Sequence, residues 1–298
     1  KESTNPKRIA KFDDFNKEIK LSTPYYSIDS LYDNPPLYDV YISGSDQLWN
    51  PEQPFPIEPY FLTFVQSSNA KKISYASSIG ISSLEARQIE DFTRWLSSYD
   101  AISVREPDAA KILQSHLKQK IEIVADPTFL LDANEWNLLA HDPQERGYIL
   151  CFMLGFQPNL LNEALRVSSD WGKKLVVIGQ RGIPRDKRYT LIDDAGPKEF
   201  LGLIKCSDCV FTDSFHGTVF SVLLGVKNFF SYVAKGNRRA SRLETLLSPL
   251  GHLDRIIRND DFSKVDDLLK KDIDIEKQTA MVKIESNISR TFLDRYIK

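Results

Sequence analysis

Short apolar runs recur along this chain, each ending in polar residues and most followed by a stretch with helical spacing. Residues 38–43 read as a strand running into Gly44-Ser45-Asp46-Gln47, a turn rich in capping residues. A second strand over 72–77 ends at Ser78-Ile79-Gly80, a third over 100–104 at Arg105-Glu106-Pro107, and a fourth over 121–124 at Asp126-Pro127. Between them, 83–98 sets Ile89, Phe92 and Leu96 on one helical face, and 107–118 opens on a proline suited to a first helical turn. Ahead of these, 1–37 is polar and proline-punctuated, with Phe12 and Phe15 marking a short helix followed by extended chain.

After a polar connection over 132–147 the alternation restarts. Strands are predicted over 148–154, 174–178, 208–212 and 227–233, with helices over 158–170, 197–205 and 216–225 and a basic loop over 180–190. Helices over 239–248, 262–270 and 276–297 follow. Strands alternating with helices imply parallel sheets covered on both faces. The expectation is an α/β protein of two Rossmann-like domains facing across a cleft, 1–140 and 141–275, closed by a helix over 276–298. In such sheets ligands sit at the carboxyl ends of strands. Six polar clusters fall at those ends: 43–46, 77–78, 105–106, 126, 180–181 and 213–216.

Composition narrows the class. At 298 residues there is chain enough for two domains, and 42% hydrophobic with 27% charged residues reads as a soluble globular protein. A net charge of −2 supplies no field for nucleic acid, so none is expected as a partner. No apolar run approaches the roughly 20 residues that span a bilayer, and no signal-peptide core is visible. Three cysteines argue against a disulfide framework. Cys206 and Cys209 have C-x-x-C spacing, but the pair leads into a strand rather than opening a helix, so buried structural cysteines are expected. His116, His141 and His252 lack partners at ligand spacing, and no metal site is expected.

The densest chemistry lies at Asp213-Ser214-Phe215-His216-Gly217-Thr218, where a strand turns into a helix. A helix N-terminus offers unpaired backbone N–H groups and partial positive charge, which suits an anion. A histidine there titrates near neutrality, although a core histidine satisfied by backbone is the competing reading.

These residues resemble the polysaccharide pyruvyl transferase family. The resemblance rests on Gly44-Ser45-Asp46-Gln47-Leu48-Trp49-Asn50, on Ser74-Tyr75-Ala76-Ser77-Ser78-Ile79-Gly80, on Ser103-Val104-Arg105-Glu106, on Ala125-Asp126-Pro127-Thr128 and on Thr212-Asp213-Ser214-Phe215-His216-Gly217. Ser241-Arg242-Leu243, Leu246-Leu247 and Arg255 fit downstream, and the motifs occur in order over about 38–258. Members of the family usually begin with a strand, an Asn-Tyr-Gly turn and a helix. Nothing like it is present here, so the first domain is expected to lack its first βα unit. The resemblance implies a GT-B-like pair of domains and transfer of a pyruvyl group from phosphoenolpyruvate to a sugar of a cell-surface polysaccharide precursor. The product is a pyruvate ketal, and phosphate is released.

That chemistry needs a proton for the methylene carbon of an enol phosphate and help for the attacking hydroxyl. His216 is the candidate acid, with Asp213 either orienting it or binding an acceptor hydroxyl. The donor's phosphate and carboxylate call for guanidinium groups and a helix N-terminus, which points to Arg105, Arg181, Arg242, Ser214, Gly217 and Thr218. An ion pair fixing the loop is the alternative for Arg105, and a plain N-cap the alternative for Ser214. Asp46 and Gln47 are acceptor candidates or turn-formers. Asp126, before a proline, reads as structural. No cofactor beyond phosphoenolpyruvate as co-substrate is implied. The implied acceptor is lipid-linked, and the location cytoplasmic or peripheral at the inner face of the membrane. A nucleotide-sugar glycosyltransferase and a non-catalytic carbohydrate-binding relative are the alternatives, since a fold does not fix a function.

Overall fold

The computed structural model describes residues 5–179, 182–236 and 240–297. In chain order the elements are α1 (Pro6–Asn16), α2 (Ile28–Asp33), β1 (Val40–Ser43), β2 (Lys71–Ser77), α3 (Ala86–Leu96), β3 (Ala101–Val104), α4 (Pro107–Gln114), β4 (Ile121–Ile123), α5 (Ala133–Leu139), β5 (Tyr148–Met153), α6 (Pro158–Asp170) and β6 (Leu175–Gly179). There follow β7 (Thr190–Ile192), α7 (Pro197–Lys205), β8 (Ser207–Thr212), α8 (Phe215–Leu223), β9 (Asn228–Val233), α9 (Ala240–Leu247), β10 (Ile256–Arg258), α10 (Val265–Leu269) and α11 (Ile275–Ile297). Prolines open α1, α4, α6 and α7, where the missing N–H costs nothing and φ is already helical.

The chain forms two compact units. One comprises Leu21–Leu130 and the chain from Ile284 onward; its sheet is parallel throughout, in the order β1-β2-β3-β4. β3 is buried at every position, as a strand covered on both faces must be. One core cluster gathers Trp49, Phe61, Phe92 and Leu96, with Trp49 stacked on Phe61 at 4.7 Å. Another gathers Ile73, Tyr75, Ala101, Val124 and Phe292, the last supplied by α11. Strand β2 is irregular between Ser74 and Ser77, where Ala76 takes a φ of 51°. A left-handed alanine costs about 1–2 kcal/mol, and the bulge is held by the Ala76 N–H donating to Ser103 Oγ at 3.1 Å.

The other unit comprises the chain up to Lys20 and Leu131–Lys283. Its sheet is also parallel, in the order β10-β9-β8-β5-β6-β7. Numbered within the unit, that is 3-2-1-4-5-6, the doubly wound order, with the chain reversing direction across the sheet between β5 and β8. β5 and β6 are buried at every position. Cys151, Cys206 and Cys209 are free and buried, and burial pushes each thiol up, so the C-x-x-C pair is structural as expected.

Several expectations change. The expected boundary at 140 falls at Leu131, and helix α1 belongs with the second unit rather than the first. Polar contacts decide that: Asn5 Nδ2 donates to Asp193 Oδ1 at 3.0 Å, and Lys11 Nζ donates to the Asp194 carbonyl at 3.0 Å. Helix α11 is divided between the units rather than standing as a separate element. The connection over 132–147 contains α5, started by a capping box. Asp132 Oδ1 accepts from the N–H groups of Asn134 and Glu135 at 2.8 and 2.9 Å, and Glu135 Oε2 accepts from the Asp132 N–H at 2.8 Å. Helix α2 lies where extended chain was expected, and β7 and β10 are three-residue strands too short for periodicity to reveal.

Candidate functional site

Each sheet gathers sequence-predicted residues at the carboxyl ends of its strands, and the two gatherings differ in kind.

In the first unit, Arg105 follows β3 and is 3% exposed. Its Nη1 donates to Asp126 Oδ2 at 2.7 Å and to Ser45 Oγ at 3.4 Å, and its Nε donates to Glu106 Oε1 at 3.4 Å. Asp46 Oδ1 lies 3.8 Å from its Nη2. Ser78 Oγ donates to Glu106 Oε1 at 2.5 Å, while Asp126 Oδ1 accepts from the Thr128 N–H and hydroxyl. Carboxylates from three loops thus surround one buried guanidinium. This is the geometry of a pair that fixes the loops, the alternative reading of Arg105, and it gives Asp126 the structural part expected of it.

Asp46 is exposed and takes a φ of 70°, a conformation aspartate tolerates better than most residues. Gln47 is buried, accepting at Oε1 from Asn50 Nδ2 at 3.2 Å. A Cβ at Gly80, whose φ is 73°, would come 2.8 Å from Gln47 Cδ. Of the two acceptor candidates, only Asp46 is open to solvent.

In the second unit, β8 ends at Thr212 and α8 begins at Phe215, beside the switch point. Ser214 is the N-cap: its Oγ accepts from the Gly217 N–H at 3.2 Å, and its own N–H donates to Thr212 Oγ1 at 3.0 Å. The Thr218 hydroxyl bonds Ser231 Oγ at 2.7 Å and is fully buried. Ser214, Gly217 and Thr218, expected to hold the donor, therefore commit these groups to building the turn. Gly217 is required by close approach, since a Cβ there would sit 2.5 Å from Thr212 Oγ1 and 3.1 Å from Phe152 Cδ1.

His216 lies half-buried on the first turn of α8, its ring edge-to-face on Phe215 at 5.4 Å. The Arg242 guanidinium lies over the same Phe215 ring at 5.5 Å, so the fold brings Arg242 from α9 to the histidine turn. Arg181 lies outside the described residues. The Asp213 carboxylate bonds the loop after β5. Its Oδ1 accepts from the Leu154 N–H at 2.7 Å and its Oδ2 from Gln157 Nε2 at 3.4 Å. Burial holds its carboxyl above the usual aspartate range, against the pull of those donors.

The residues that sequence reasoning missed are Leu154, Gly155 and Gln157. They form the loop after the first strand of the doubly wound sheet, and the glycine in that first βα turn was the available signal. Among the described residues, no group of three or more His, Cys, Asp or Glu is set to hold a metal ion. Among them too, no helix is long and apolar enough to cross a membrane.

Two parallel-sheet units, the second in doubly wound order, define a GT-B-like α/β protein. Solved structures share that fold. UDP-GlcNAc 2-epimerase from Methanocaldococcus jannaschii matches with a TM-score of 0.57 at 14% identity, over 94% of this chain and 88% of its own. An E. coli trehalose-6-phosphate structure bound with UDP-2-fluoro glucose matches at 0.56 and 10% identity, over 90% and 75%. UDP-GlcNAc 2-epimerase from Neisseria meningitidis bound to UDP-GlcNAc matches at 0.53 and 12% identity, over 95% and 87%. No curated protein sequence matches. The model of the polysaccharide pyruvyl transferase family matches residues 2–233, and the chain belongs to that family of transferases. Arg242 falls beyond the matched residues.

Proposed function

We propose that the protein transfers a pyruvyl group from phosphoenolpyruvate to two hydroxyls of one sugar in a cell-surface polysaccharide precursor, forming a cyclic ketal and releasing phosphate. Family membership supports the class of reaction. The observation that carries the reading is the placement of His216 on the first turn of α8, beside the switch point of the sheet.

His216 donates a proton to the methylene carbon, which leaves an oxocarbenium-like centre at the enol carbon. A sugar hydroxyl attacks that centre and gives up its proton, phosphate departs, and a second hydroxyl closes the ring, its proton passing to the released phosphate. The imidazole that gives the first proton serves, as the conjugate base, to assist the attack. Positive potential at the start of α8, with Arg242 over Phe215, favours the anionic donor. Asp213 accepts a sugar hydroxyl. Phosphoenolpyruvate acts as a co-substrate, with no resident cofactor. The acceptor is lipid-linked, and the protein works in the cytoplasm at the inner membrane face. Likeness to proteins bound to UDP-sugars, at these identities, supports the fold alone.

The test incubates the protein with phosphoenolpyruvate and a panel of lipid-linked galactose, glucose and N-acetylmannosamine acceptors and follows phosphate release. Release that depends on acceptor supports the reading. Turnover of a nucleotide sugar with no release from any acceptor refutes it.

A further inference from the structure

The loop between β5 and α6 carries two apolar side chains in water, Leu154 at 50% and Phe156 at 43% exposure. It lies at the carboxyl end of the first strand of the doubly wound sheet, the edge where such folds bind ligands. The loop is held. Asp213 accepts from the Leu154 N–H and the Gln157 side chain, so residues on both sides of Phe156 are tied to the end of β8. An exposed aromatic on a fixed loop at a binding edge has a ready use, because ligand sites are built from apolar and aromatic walls with a few polar groups.

The neighbouring charge selects the ligand. A phosphate or carboxylate brought against Asp213 would meet like charge. Hydroxyl groups donate to a carboxylate instead, and charge-assisted bonds of this kind are about twice as strong as neutral ones. The ligand that fits is neutral, rich in hydroxyls and apolar on one ring face, which describes a pyranose. On the α8 side of the same turn, helix polarity and Arg242 favour an anion.

We propose that Phe156 and Leu154, with Asp213 beside them, form the subsite for a pyranose ring of the acceptor, its C–H face on Phe156 and a hydroxyl on Asp213. The inference rests on the reading of this chain as a transferase acting on a sugar, and it makes Phe156 a specificity-determining residue. The two substrates are then sorted by charge on either side of one turn.

The test separates sugar binding from catalysis. Saturation-transfer NMR is run on the whole protein without donor, using methyl β-D-galactopyranoside, methyl β-D-glucopyranoside and N-acetylmannosamine. At least one should show saturated ring protons. Phe156→Ala should weaken that sugar by about tenfold, equivalent to roughly 1.4 kcal/mol, and Phe156→Trp should retain it. Leu138→Ala, which removes a leucine 88% exposed elsewhere on the unit, should change nothing. Wild-type protein that saturates none of the sugars, or Phe156→Ala with unchanged affinity, overturns the proposal. Phosphate release is followed in parallel. Sugar binding lost selectively in Phe156→Ala, without any phosphate release, supports the subsite and refutes only the choice of donor.

Discussion

Arg105 and His216 both follow parallel strands in sheets of similar construction, yet their surroundings are opposite. Arg105 is buried, with Asp126, Glu106 and Asp46 around its guanidinium. His216 is half-buried on a helix start against Phe215, over whose ring Arg242 lies, and the Asp213 carboxylate bonds the β5–α6 loop. A charged residue at a strand end is therefore an ambiguous sign. What differs between the two is burial: Arg105 is enclosed among carboxylates, whereas His216 is half-open at a helix start.

The sharpest way to break that contrast is His216→Ala. Loss of a general acid typically costs about 10²–10⁴ in rate, and turnover should fall by at least that range while thermal unfolding stays cooperative. Retained activity would remove His216 from the mechanism. Arg105→Ala should act on stability. Leaving buried carboxylates without their cation costs about 3–5 kcal/mol, read from urea unfolding. Wild-type stability with weakened donor binding would place Arg105 with the chemistry after all.

Smaller effects sharpen the same comparison. Gly217→Ala forces a methyl against Thr212 and Phe152, and overpacking of this kind costs about 1–3 kcal/mol in unfolding free energy. An unchanged unfolding midpoint would show that the helix start can shift freely. The smallest effect is a pH dependence. Burial raises the Asp213 carboxyl above the ordinary 3.8, so the folded state holds its proton more tightly than the unfolded chain does. Its contribution to stability is complete below the unfolded value and is lost as pH rises through the folded one. Asp213→Asn removes this dependence, so its stability relative to wild type should rise as pH increases from the ordinary aspartate value of 3.8 through the raised folded one. A flat difference over that window would mean Asp213 is not desolvated.

The amino-acid sequence determined the α/β class, the alternation of strands and helices, the buried cysteines and the histidine turn. Those rest on local patterns: apolar runs of strand length, prolines at helix starts, and polar residues where strands end. Tertiary structure alone decided that α1 packs with the second unit, because Asn5 and Lys11 find Asp193 and Asp194 far along the chain. It added β7 and β10, whose three residues become strands only by pairing with β6 and β9. It closed Thr218 into the interior, joined Asp213 to Leu154 and Gln157, and surrounded Arg105 with carboxylates from three loops. Spacing along a chain shows which residues end strands, but a hydrogen bond between two strand ends depends on the order of strands in the sheet, which no local pattern encodes.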